Sequence, residues 1–116
     1  MDRRGPEVTA APEKRVFTYE EAAALFPTVQ EITAGAVAAV DELPGGTEGE
    51  SVDATAFNRI VGEWAEQILD LGIEIKGLWL VDFDSGSGYY CWQYPEPSLQ
   101  HFHGYEEGFS GRVKLQ

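Results

Sequence analysis

The feature that most constrains this chain is a change in the spacing of its apolar residues at Gly72. Before it, Ala22, Leu25, Phe26, Val29, Ile32, Thr33, Ala36, Val37 and Val40 recur at three- and four-residue steps, as do Phe57, Ile60, Val61, Trp64, Ile68 and Leu71. Each set forms one stripe on a helix. After it, Ile73-Glu74-Ile75-Lys76 alternates, and three β-rich runs follow: Leu78 to Phe83, Tyr89 to Tyr94 and Leu99 to His103. Alternation places successive side chains on opposite sides of a sheet. Short turns, Asp84-Ser85-Gly86-Ser87-Gly88 and Pro95-Glu96-Pro97-Ser98, join these runs, so neighbours pair antiparallel. The expected class is α+β: an antiparallel helical pair packed on a small antiparallel β-meander of three to four strands.

Local signals place the ends of the elements. Thr18-Tyr19-Glu20-Glu21 has the spacing of a capping box, and its two acids suit the positive end of a helix dipole. Pro27 lacks an amide and crowds the carbonyl four residues back, so the first stripe is expected to split into a short helix and a longer one beginning at Pro27. Leu43-Pro44-Gly45-Gly46 through Glu50 has turn chemistry, Asp53 can cap the second helix, and Gly72 is its expected C′ residue. Residues 1 to 15 have no apolar period and are expected to form a disordered arm, leaving residues 16 to 116 as a single domain.

Charge narrows the partners. The net charge is -12, and between Val16 and Gly111 only Arg59 and Lys76 are basic. A phosphate backbone is held by clustered Lys and Arg, so neither nucleic acid nor an anionic membrane surface is expected as a partner. No apolar run is expected to reach the roughly 20 residues that cross a bilayer, and the N-terminus has no secretory h-region. Cys91 is the single cysteine, which excludes an intramolecular disulfide and a cluster of thiolates around zinc. A reducing, cytoplasmic location is the expectation.

The order Phe17-Thr18-Tyr19-Glu20-Glu21-Ala22, Leu25-Phe26-Pro27, Gly72-Ile73-Glu74-Ile75-Lys76, Leu80-Val81-Asp82-Phe83, Tyr90-Cys91-Trp92, and His103 followed by Gly108-Phe109-Ser110-Gly111-Arg112 resembles a bacterial family known as domain of unknown function 2203. The resemblance covers about residues 15 to 115 and implies no particular activity. Where that family's pattern reads approximately Trp-His-Glu, this chain has Phe102-His103-Gly104.

Several residues carry candidate chemistry. His101 and His103 lie two apart on a strand and leave the same face, a spacing found in metal sites; Asp82, Asp84 or Glu106 could add oxygen ligands. The same alternation also describes a polar sheet face flanking Phe102. Asp82 and Asp84 share a face as an acid-base pair would, or as strand-end residues before a turn. The Ser-Gly stretch after Asp84 lacks a Walker Lys and reads as a hairpin, and Ser110 misses the G-x-S-x-G spacing. Cys91 fits a small buried thiol in an aromatic strand. Arg112 could clamp a partner's carboxylate or pair within the chain.

No catalytic constellation emerges, so no catalytic residue is assigned and the question of enzymatic activity stays open, with a non-enzymatic role preferred. The preferred expectation is a binding or scaffolding module whose sheet face bears Tyr90, Trp92 and Tyr94, with Arg112, and meets a protein partner or a second copy as a homodimer. That reading needs no cofactor. The alternative is a divalent metal ion, in a site with hydrolytic potential, held by His101, His103, Asp82 and Glu106.

Overall fold

The Thr18 capping box forms as its spacing predicts: the Glu21 amide donates to the Thr18 hydroxyl at 3.0 Å, and the Thr18 amide donates to the Glu21 carboxylate at 2.9 Å. From that cap helix α1 runs over Tyr19–Asp41. The computed structural model describes residues 15–44 and 54–115. The expected arm, apart from Arg15, and the Asp53 cap lie outside the described residues. Helix α2 spans Ala54–Asp70 and presents Ile60, Trp64 and Ile68 to the interior. Gly72 follows with a φ of 85°, the left-handed conformation that closes a helix and that glycine adopts at least cost.

The split at Pro27 does not occur; α1 continues through it. A mid-helix proline costs about 3 kcal/mol. Phe26 and Val29, on either side of it, are both buried, and each contributes about 1.5–3 kcal/mol by leaving water. Pro27 itself lies on the exposed side. Burial of the stripe therefore outweighs the lost amide bond. At 23 residues α1 is also long and apolar enough, by length and composition, to cross a membrane, contrary to the expectation above. Its Ala22, Phe26, Val29 and Thr33 side packs within the protein.

Downstream, five antiparallel strands follow in sequence order: β1 Glu74–Gly77, β2 Leu80–Asp84, β3 Tyr89–Gln93, β4 His101–His103 and β5 Val113–Lys114. The sheet is one strand larger than the upper expectation because the Gly-containing tail, after a 3-10 turn at Phe109–Gly111, returns to pair with β4. The run starting at Leu78 is also shorter than its composition suggests. Leu78 and Trp79 form the β1–β2 turn, with Trp79 at a φ of 59°. A left-handed residue other than glycine costs about 1–2 kcal/mol. Here the Trp79 ring packs edge-on against Trp64 at 4.9 Å between centroids.

Register then sorts the side chains. Ile75, Val81 and Trp92 stand opposite one another, as do Phe83, Tyr90 and Phe102. Directly paired residues share a face, and this one meets the helices. Phe17, Phe26, Val29, Trp64, Ile68, Val81, Phe83 and Trp92 make one cluster there. Phe26 sits edge-on to Trp92 and Phe17 to Phe83, both at 5.3 Å.

Candidate functional site

The opposite face of the sheet carries a polar row, Glu74–Asp82–Cys91–His101, set by the pairings of Glu74 with Asp82, Asp82 with Cys91 and Cys91 with His101. Beside it runs a second row, Asp84–Tyr89–His103. The chain after β4 folds back over this face. Tyr105 donates its hydroxyl to Asp84 at 2.6 Å, and its ring packs edge-on to Tyr89. Asp82, Asp84 and His103 are thereby buried, at 1%, 4% and 4% exposure. Beneath the tail lies a cavity of about 220 Å³ lined by Lys76, Leu80, Asp82, Cys91, His103, Glu107, Gly108 and Phe109.

At its floor, His103 Nε2 lies 2.9 Å from Asp82 Oδ2, while His103 Nδ1 donates to the Gly104 carbonyl at 2.8 Å. A carbonyl only accepts, so Nδ1 carries a hydrogen and Nε2 is the nitrogen directed at the carboxylate. Gly88 makes the approach of β4 close: a Cβ there would meet the Phe102 ring, and the His103 carbonyl oxygen at 2.7 Å. Asp82 Oδ1 is buried and has no hydrogen-bond partner. Cys91 stands across the strand from Asp82, and the imidazole, thiol and carboxylate offer three donor atoms all within 4.8 Å of one another.

Charges around the cluster are specific. A bulge between Ile75 and Gly77 frees Lys76 from regular pairing, the kind of irregularity that re-aims a side chain. Its ammonium lies 3.5 Å from both Glu74 and Asp82 Oδ2 and 3.9 Å above the Tyr89 ring. Burial alone would lower the Lys76 pKa; the charges of Asp82, Tyr89 and Glu74 outweigh it and the net shift is upward. Burial, followed by the neighbouring Asp82 charge, pushes the Cys91 thiol up to about 12. Cys91 is therefore protonated near neutrality, and a thiolate nucleophile has no support here. Arg112 grips Glu96 through both nitrogens, at 2.7 and 3.0 Å, so it pairs within the chain.

Of the proposed metal ligands, the structure brings Asp82 and His103 together and leaves two aside. His101 shares their face, but its Nδ1 faces Glu96 at 3.8 Å. Glu106 is exposed and outside the cluster; Glu107, one residue on, reaches the cavity wall. Cys91 was missed as a ligand, though its place on the face opposite Trp92, paired across the Pro95 turn, was the available signal. The ring face proposed for partners is the one turned to the helices. Trp92 is wholly buried, and Tyr90 and Tyr94 are half-buried against the core.

No curated protein matches the chain, and no solved structure does. A family model described as "Uncharacterized conserved protein (DUF2203)" matches residues 15–115. That span takes in every element from α1 to β5, and the chain belongs to the DUF2203 family.

Proposed function

We propose that this protein binds a divalent transition metal through Asp82, Cys91 and His103. The observation that carries the reading is the convergence of a carboxylate, a thiol and an imidazole within 4.8 Å, beside a buried Asp82 oxygen with no hydrogen-bond partner. Ligand atoms around one zinc or cobalt ion sit about 3–4 Å apart, given bonds near 2.0–2.3 Å. The cluster needs only a small contraction to reach that spacing. His103 Nδ1 already donates to a backbone carbonyl, the outer contact that orients a ligating imidazole. A mixed oxygen, nitrogen and sulfur set favours zinc, cobalt or nickel over magnesium or calcium. Three protein ligands beside a cavity leave a coordination position for a further group.

Partner binding through the ring face is the weaker reading, since Trp92 has no exposed surface to offer and Arg112 is committed to Glu96.

Metal-free protein titrated with cobalt(II) tests the proposal. One equivalent should bind, with a thiolate-to-cobalt charge-transfer band and a raised melting temperature; free metal at a hundred times its Kd adds about 2.7 kcal/mol of stability. Cys91→Ser should lose the band and His103→Ala the tight binding, while His101→Ala and Glu106→Gln should retain both. Protein that binds no stoichiometric metal and melts unchanged with cobalt, zinc and nickel would falsify it.

A further inference from the structure

A buried carboxylate is costly without a positive partner, and Asp82 has such a partner within the chain. The Lys76 ammonium lies 3.5 Å from Asp82 Oδ2, the oxygen that faces His103 Nε2 at 2.9 Å. An ion entering between that imidazole and that carboxylate arrives at the oxygen the ammonium already attends. A divalent ion and an ammonium on one oxygen repel each other. Lys76 also has a second berth. Its Nζ is 3.5 Å from Glu74 Oε1 and 3.9 Å above the Tyr89 ring, and the Tyr89 hydroxyl donates to the same Glu74 oxygen at 3.1 Å. The side chain leaves β1 at the bulge between Ile75 and Gly77 and is 36% exposed, so its flexible four-carbon stem can swing without disturbing the sheet.

Building on the metal reading above, we infer that Lys76 is a built-in competitor for the metal: it balances the Asp82 charge in the absence of an ion and yields Oδ2 to one, withdrawing to Glu74 and Tyr89. Affinity is then set by an exchange of cations on one carboxylate, not by the three donors alone. Lys76 lowers it. Glu74 raises it, and does so only by receiving the displaced ammonium.

Cobalt(II) titrations of the full-length protein, followed by visible absorption, supply the test. Lys76→Met keeps the apolar stem, removes the charge and should tighten cobalt binding by about tenfold or more. Lys76→Arg keeps a cation and should bind no more tightly than wild type. Glu74→Gln should weaken binding severalfold in the wild-type background and make no further difference in Lys76→Met, a coupling that a double-mutant cycle measures. Thermal melts of the metal-free variants identify any that fail to fold; if Lys76→Met is one, Lys76→Gln takes its place in the cycle. Wild-type protein that binds no cobalt would overturn the metal reading and this inference together. Cobalt bound normally by wild type, with its affinity unmoved or weakened when the Lys76 charge is removed, would overturn the inference alone. So would Glu74 and Lys76 effects that simply add, since they would reflect two charges acting separately on the ion.

Discussion

Trp64 is a large side chain buried to 1% exposure, so its indole N–H has no water to bond and must find an acceptor inside the protein. It donates to the Thr33 hydroxyl at 2.8 Å, and Thr33 is buried too. The bond joins the two helices at the centre of their contact, which explains a threonine in an otherwise apolar stripe. Thr33→Val keeps the shape and removes the acceptor, leaving a buried donor unpaired at a cost of about 1–3 kcal/mol. Chemical denaturation should show that loss, and Thr33→Ser should recover most of it. A Thr33→Val variant as stable as wild type would mean the indole finds another acceptor. Asp82 presents the converse case, a buried carboxylate on the cavity wall whose Oδ1 is not met by a hydrogen bond of the kind that Thr33 accepts from Trp64.

At the level of elements, the turn after β3 and the tail before β5 are tied together by one ion pair, Arg112 with Glu96. Burial alone would raise the Glu96 pKa; hydrogen bonds from Arg112 and the Gln93 amide, with the Arg112 charge, outweigh it and the net shift is downward. His101 faces the same carboxylate and adds to the lowering when protonated. A carboxylate whose folded pKa lies below its unfolded value stabilises the fold fully above the unfolded value, and that stability is lost as pH falls through the folded one. Glu96→Gln should therefore cost about 1 kcal/mol near neutrality, and the gap from wild type should close below the ordinary carboxylate value of 4.5. Thermal melts of both proteins across acid pH provide the comparison; a gap that widened in acid would reverse the sign of this contribution. The element plan itself was legible from the sequence, because the period change at Gly72 and the Thr18 cap are local signals. Pro27 and Trp79 were misread for a common reason. In both, a local backbone preference yields to burial of neighbouring rings and aliphatic chains, and that burial depends on tertiary contacts that local spacing does not encode.

Across the whole molecule, the candidate site was half legible. Alternation placed Asp82 and His103 on polar sheet positions, but only strand register shows that Cys91 stands between them and that Glu106 does not. The charge balance, by contrast, is fully visible in the sequence and has its own consequence. Among 20 acidic and 8 basic residues, the basic side chains at the site are already matched: Lys76 lies between Glu74 and Asp82, and Arg112 is on Glu96. The remaining excess is negative and repels itself, which works against the compact state. The Arg59–Glu63 pair, at 3.8 Å and exposed on both sides, is worth little in compensation. Added salt shortens the screening length to about 10 Å at 0.1 M and 3 Å at 1 M, weakening the long-range repulsion more than the short, partly buried pairs. Sodium chloride should therefore raise the melting temperature, by on the order of 4 °C for each 1 kcal/mol of repulsion removed. Calorimetry in low and high salt at pH 7 checks this, and a melting temperature that fell with salt would show that specific ion pairs outweigh the net charge in holding the fold.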